Sequence, residues 1–447
     1  MTTIALAALT TYSGIGQAGV LPAAPRVETL DNGLTLVLMP WDSPGIVAYQ
    51  TTVRVGSRDE VSEGHSGYAH LCEHLMFQGT EAHPKEVYER EIQLAGADNN
   101  AWTWLDLTNY YLLTPRESLP KLVEIEADRF MHLKYSETDY RTETGAVHGE
   151  FLKNASSPGQ LMDEVLHETA FREHTYRHTT MGYRADVEAM PGEYAFMQGF
   201  FKRYYTPDNC VISVIGDFDS EEVLGLVKRH YGEWTGKRAE PPITVEPEQD
   251  EPRERHVDWK IETAPRMTIA YKTPAFDPDS VEQAALDVVH ELVFGASSPL
   301  YQKLVIEEKK LLSLYSPGGM HAPATRDPFL FTVEATLAEG ASFEEVEAAV
   351  TAELGKLAMG EISKERLAAV RSHLRYGFAT ELETPTDVAV TFAMFVATTG
   401  GVEALERYAH KLSEVTVEGV QSAAERYLVP EKRTIVTLSH KGLGAAK

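Results

Sequence analysis

The sequence predicts an α+β protein built from two repeats of one unit. Three observations predict it. Short β-prone runs are interspersed with long helical periodicities, a proline-rich charged stretch divides the chain near its middle, and one helix–strand junction recurs half a chain apart. RYYTPDNCVISVIG from Arg203 and RYLVPEKRTIVTLS from Arg426 share Arg-Tyr-x-x-Pro followed by a strand pattern, at an offset of 223 residues. With 447 residues the chain has room for two domains and for a core large enough to hold a polar site rigidly. The expected division is 22–236, a linker at 237–254, and 255–447.

In chain order, Asn32-Gly33 between VETL and LTLVLMP is a hairpin signature, and Ile46–Val55 alternates as a strand. Helical spacing follows at Gly67–Gln78 and Pro84–Leu94. Ala101–Leu113 is aromatic and β-branched, which suits a strand. Helical patterns occupy Arg116–Leu133, Tyr140–Lys153, Gln160–Ala170 and Pro191–Tyr205, and a strand at Cys210–Ile215 and a helix at Ser220–Tyr231 close the first half. Four prolines and many charges between Gly236 and Arg255 suit a linker. The second half repeats the grammar: a strand at Met267–Tyr271, helix at Val281–Phe294, strand at Phe329–Leu337, three or four more helices, and a closing strand at Thr434–Leu438.

Composition narrows the function. A net charge of −26 and a pI near 5.0 argue against a nucleic-acid partner, which needs clustered Lys and Arg. An acidic cavity would suit cationic peptides, although a solvated acidic surface explains the same charge. Two cysteines, Cys72 and Cys210, exclude a disulfide framework. No run of 18 apolar residues spans a membrane. The N-terminal MTTIALAALTTYSGIGQAG is small and apolar but has no basic residue before Arg26, so it assigns no compartment, cytoplasmic or periplasmic.

The chemistry concentrates at His70-Leu-Cys-Glu73-His74. On a helix, His70 and His74 stand at i and i+4, so both imidazoles leave one face, as two ligands of one cation require. Glu73 flanks that face, where it can reach a water without ligating the metal; this is the H-x-x-E-H pattern of zinc peptidases. Cys72 points away from the face and reads as an apolar packer. Two histidines do not make a tight site, and a third ligand is sought in ETGAVHGEFLKNASSP. Glu143 and Glu150 share a face there, two turns apart, and on spacing alone either could bind. His148 faces elsewhere. Ala146, Val147, Phe151 and Leu152 predict a partly buried helix, in which a carboxylate needs a partner.

With these residues the chain resembles the pitrilysin and insulinase peptidases, closest in size to bacterial subunits like those of mitochondrial processing peptidase. The resemblance rests on HLCEHLMFQGT (70–80), NAWTWLDLTNYY (100–111), ETGAVHGEFLKNASSP (143–158), AFREHTYRHTTMGYRADVEAM (170–190) and RYYTPDNCVISVIGDF (203–218). It covers the first half closely and the second in outline. It implies that Glu150, 76 residues after His74, is the third zinc ligand, with Glu143 a supporting carboxylate and Glu73 the general base. It also implies a half-clamshell of two α+β domains, with two subunits enclosing a chamber. A peptide substrate would add as a strand near Asn100, Ala101 and Trp102.

One departure stands out. Active homodimers of the family carry an Arg and a Tyr in a second-domain stretch resembling SSRLFQ-x-x-REKRGLAYS. Here SSPLYQKLVIEEKKLLSLYS (297–316) keeps Tyr315 but places Ile306 or Glu308 where the Arg should stand, with Lys309 or Lys310 nearby. The expectation is a zinc endopeptidase subunit whose missing donors come from a homologous partner, a homodimer forming when it is alone. The rival readings are a non-catalytic scaffold subunit, and a metal store in which Glu73 has no task.

Overall fold

Asn32-Gly33 turns the chain as expected, with Gly33 at φ +94°, a conformation that L side chains rarely adopt. The turn joins strands β1 (Arg26–Thr29) and β2 (Thr35–Pro40), which pair antiparallel. The computed structural model describes residues 20–21, 23–316 and 325–440; the apolar N-terminal stretch lies outside them up to residue 19.

The first sheet also contains β3 (Ile46–Val53), β4 (Asp98–Thr103), β5 (Thr108–Pro115) and β6 (Cys210–Gly216), in the order β1-β2-β6-β3-β5-β4. The second contains β7 (Arg253–Trp259), β8 (Arg266–Thr273), β9 (Leu311–Tyr315), β10 (Phe329–Leu337) and β11 (Arg433–His440), in the order β7-β11-β8-β10-β9. From β2 and β7 onward the two sheets have the same pairing: one parallel pair, then three antiparallel ones. The repeated junction accounts for this, since Pro207–Asn209 and Pro430–Lys432 each form a 3₁₀ turn leading into the inner strand of the parallel pair. The fold is α+β, with two sheets.

The helices that matter for the site are α1 (Tyr68–Leu75), α2 (Lys85–Leu94), α3 (Leu119–His132), α4 (Glu137–Asn154) and α5 (Pro158–Ala170). Ser136 begins α4 with a capping box: its hydroxyl accepts from the Asp139 amide while Asp139 accepts from the Ser136 amide. Val147 and Phe151 bury one side of α4; Ala146 and Leu152 face solvent, so the helix is half-buried as expected but through two of those four residues.

The halves interlock. Met162, Leu166 and Ala170 of α5 pack on Val436 and Leu438 of the second sheet. Reciprocally, Ala393 and Ala397 of the helix Pro385–Thr399 pack on Leu107, and the Gln50 side chain of β3 donates to the Ala389 carbonyl at 2.6 Å. Burying each large apolar side chain contributes roughly 1.5–3 kcal/mol, so each half stabilises the other's sheet.

Four expectations are corrected. Ala101–Leu113 is not one strand but β4 and β5, broken at Trp104–Leu107, where Asp106 is buried and accepts from Tyr176 Oη at 2.9 Å. Five helices, not three or four, separate β10 from β11: Phe343–Ala358, Lys364–Thr380, Pro385–Thr399, Ala404–Glu414 and Val417–Tyr427. The stretch read as a linker, 237–254, runs into strand β7 at Arg253, a mostly exposed edge strand, which explains its polar composition. Before β7 that stretch is strapped down rather than loose: Arg238 pairs with Asp59 at 3.1 Å, and Glu246 accepts from the amides of Arg172, Glu173 and His174. Both cysteines are buried free thiols. No single described helix is long and apolar enough to cross a membrane.

Candidate metal centre

Gly67 opens α1 with φ +85°, and a Cβ there would sit 2.9 Å from the Met181 carbonyl oxygen, so only glycine fits. Tyr68, Leu71, Cys72 and Leu75 bury one side of the helix in the core beneath the first sheet. Cys72 is thus the packer its position predicts. The other side carries His70, Glu73 and His74 toward α4.

His70 Nε2 and His74 Nε2 each lie 3.6 Å from Glu150 Oε2, and the three donor atoms fall within 4.8 Å of one another. Two bonds of about 2.05 Å at a tetrahedral angle separate their ligand atoms by about 3.4 Å, so the Glu150 oxygen stands near the distance that zinc ligation needs from each imidazole. The rings stand almost perpendicular, at 89°, with centroids 4.8 Å apart, as two donors aimed at one point would. Two imidazoles and a carboxylate suit zinc chemically and leave a fourth position open. The spacing left Glu143 and Glu150 both open, and the structure separates them: only Glu150 faces both Nε2 atoms.

Glu143 lies on the other side of the His74 ring, with Oε2 3.4 Å from Nδ1. Its second oxygen accepts from the Gln78 side-chain amide at 2.6 Å and lies 3.7 Å from Lys85 Nζ. Such a carboxylate fixes the tautomer and aim of a ligating imidazole. His148 is not part of the cluster.

The charges follow this placement. Burial and the neighbouring His74 push the His70 imidazole down to about 4. Burial also lowers His74, but the hydrogen bond to Glu143 and the charges of Glu73, Glu143 and Glu150 outweigh it and leave His74 above the ordinary imidazole value. Glu143 is held below the usual carboxylate range by its hydrogen bond to His74, against burial. Glu73 is raised by burial, against the Thr103 hydroxyl, which donates to Oε2 at 2.5 Å.

Thr103 ends β4, and β4 is the edge strand of the first sheet, paired only with β5. Ala101, Trp102 and Thr103 line a cleft of about 390 Å³ together with His70, Glu73 and Glu150. Asn100 is on the same strand, exposed, and its Oδ1 accepts from the Ala101 amide at 2.9 Å. The described residues that line this cleft all fall between His70 and Met181, and Tyr315 is not among them. Tyr315 is exposed on β9, itself an edge strand of the second sheet. Ile306 is exposed on the π-helical turn Gln302–Glu307. Lys309 takes φ +52°, and Lys310 Nζ lies 3.5 Å from Glu308 and 3.4 Å from Glu345.

The sequence reading missed the support around α1. The Glu60 carboxylate accepts from the Gly67 and Ala69 amides, both at 2.7 Å, replacing the side-chain cap that glycine lacks. An acidic residue shortly before Gly67 was the only available signal.

Residues 42–184 match the family model described as insulinase (peptidase family M16), and 193–374 match the model described as the peptidase M16 inactive domain. The zinc protease PqqE of Helicobacter pylori is 27% identical, over 92% of this chain and 91% of that protein. The probable mitochondrial-processing peptidase subunit beta of Arabidopsis thaliana is 25% identical, over 90% of this chain and 76% of that protein. The crystal structure of a protease from Helicobacter pylori superposes with a TM-score of 0.86 at 28% identity, covering 93% of this chain and 99% of that one. Two family models that follow one another along most of the chain, and relatives that match nearly its whole length, place it in the insulinase-type (M16) peptidase family.

Proposed function

We propose that the chain is a zinc endopeptidase subunit, with the metal held by His70, His74 and Glu150. The observation that carries this reading is the convergence of those three donors within 4.8 Å, beside Glu73 and an open strand edge. Zinc bound there would supply Lewis acidity to a water and to the scissile carbonyl. Glu73 accepts the proton of the attacking water on its carboxylate and delivers it to the leaving amine. Thr103 orients Glu73 from the end of the strand that binds substrate. The main chain around Asn100, Ala101 and Trp102 pairs with an extended peptide, and the side chains of the cleft select among its residues. Glu143 holds His74 in place.

Two such subunits form the working enzyme, the partner contributing donors to the oxyanion from its second half. Supporting this, the described residues that line the cleft of one chain all come from the first half. The scaffold reading leaves the convergent donors and Glu73 without a task. The test is metal content. The purified chain should hold one zinc, and Glu150→Gln and His74→Ala should each lose it. Wild-type zinc affinity in His74→Ala would refute the ligand set.

A further inference from the structure

Three successive charged residues, Arg58, Asp59 and Glu60, reach three different parts of the molecule. All are buried. Glu60 takes the amides of Gly67 and Ala69 at the start of α1, the helix that carries His70, Glu73 and His74. Asp59 pairs with Arg238 of the connecting segment at 3.1 Å and accepts from the Gly56 amide at 3.1 Å. Arg58 forms an ion pair with Asp327, which precedes β10 in the second half, and Asp327 also lies 3.1 Å from His174 Nε2. The turn is held from outside as well: the Thr175 hydroxyl donates to the Arg58 carbonyl at 2.6 Å, and Tyr204 Oη to the Asp59 carbonyl at 2.9 Å.

We infer that the turn Ser57–Glu60 is a positioning element that sets the α1 ligands through Glu60 and transmits to them the seating of the second half through Arg58. Resting on the zinc reading above, this gives the half described as inactive a part in the metal site. The physical reason is economy of freedom. In so short a turn, a backbone shift at Arg58 toward or away from Asp327 carries Glu60, two residues on, with it, and Gly67 gives α1 no side-chain cap of its own to hold its first turn. A carboxylate bonded to two amides fixes both the axial position and the rotation of so short a helix. His70 and His74 are its third and seventh residues, so a small rotation of the helix displaces their ligand atoms directly.

The experiment uses the full chain and zinc, with a chelator competition to measure affinity and cobalt(II) absorption to report ligand geometry. Glu60→Gln keeps the shape but turns one acceptor into a donor facing an amide; zinc should bind tenfold or more weakly, about the loss seen for residues that orient metal ligands. Asp327→Asn removes the charge at the far end, where the side chain is partly exposed, and should weaken zinc by about two- to thirtyfold with a changed cobalt spectrum. Hydrogen exchange of the Gly67–Ala69 amides in metal-free protein should be faster in both variants. Asp327→Asn decides if Glu60→Gln does not fold. Wild-type zinc affinity, cobalt spectrum and amide protection in Asp327→Asn would overturn the inference. A wild-type chain that takes up no zinc would instead refute the functional reading, and the amide exchange would still decide the coupling.

Discussion

Glu143 Oε2 lies 3.4 Å from His74 Nδ1, while Nε2 of the same ring faces Glu150 at 3.6 Å, so one imidazole is held between two carboxylates of one helix. The seven-residue spacing of those carboxylates on α4 makes this possible, since two turns of helix span the width of a ring held edgewise. On the proposed reading Glu143 thereby holds His74 and does not ligate the metal. Glu143→Gln should keep the fold and the ligand set but weaken zinc by about 10- to 100-fold in a chelator competition. Unchanged affinity would show that His74 needs no such support.

Glu73 accepts a hydrogen bond from the Thr103 hydroxyl and is not among the converging donors. Replacing it should separate binding from chemistry. Glu73→Gln should retain one zinc and cost at least about a hundredfold in peptide hydrolysis. Activity that survives alongside the metal would move the base to Glu143.

Zinc uptake should fall with falling pH, and the sign follows from His74. Its imidazole is raised above the ordinary value in the metal-free chain by Glu143 and its neighbours, despite burial. That raised value stabilises the metal-free fold fully below the unfolded imidazole pKa, and the stabilisation is lost as pH rises through the folded value. Zinc needs the neutral ring, so it displaces this proton. Calorimetry in buffers of different ionisation enthalpy should detect about one proton released at pH values below the His74 value, where apparent affinity should also drop about tenfold per pH unit. His70, held down to about 4, adds a second proton only in strong acid. A pH-independent affinity between 5 and 8 would refute the assignment of His74.

Much of this was legible in the sequence because the signals were local. His70, Glu73 and His74 lie within five residues, and the Asn32-Gly33 turn and the Arg203/Arg426 junctions carry their own markers. What stayed hidden depends on partners far along the chain. The break between β4 and β5 looked like continuous strand because its one turn residue, Asp106, is flanked by Leu105 and Leu107, both buried in tertiary contacts. The start of β7, Arg253 and Glu254, looked like linker because an edge strand can be polar. The choice of Glu150 over Glu143 needed the family spacing, since both share a helix face and only α1 tells them apart. Arg58 and Asp327 are 269 residues apart, and no local pattern announces such a pair.

The chain alone should be a poor peptidase even when folded, zinc-loaded and self-associated. On the proposed reading zinc would supply the nucleophile, but the developing oxyanion needs donors on its far side, and among the described residues the cleft lining includes none from the second half. In the family that this chain belongs to, the resemblance implies that an Arg and a Tyr of the facing subunit provide them. A self-partner would offer Tyr315, exposed on β9, but Ile306 or Glu308 in place of the Arg. The two lysines are weak substitutes. Lys310 is drawn to Glu308 and Glu345, and an ammonium lacks the planar fork of a guanidinium. Losing one oxyanion donor typically costs ~10²–10³ in rate, about 2.7–4 kcal/mol. Mixing with a homologue that carries both residues should therefore raise kcat/KM on an unstructured peptide by that factor, at one zinc site per heterodimer. Ile306→Arg in the self-associated chain should recover part of it. Equal kcat/KM for the chain alone and for the pair would show that Tyr315, or a lysine, suffices and that no partner is needed.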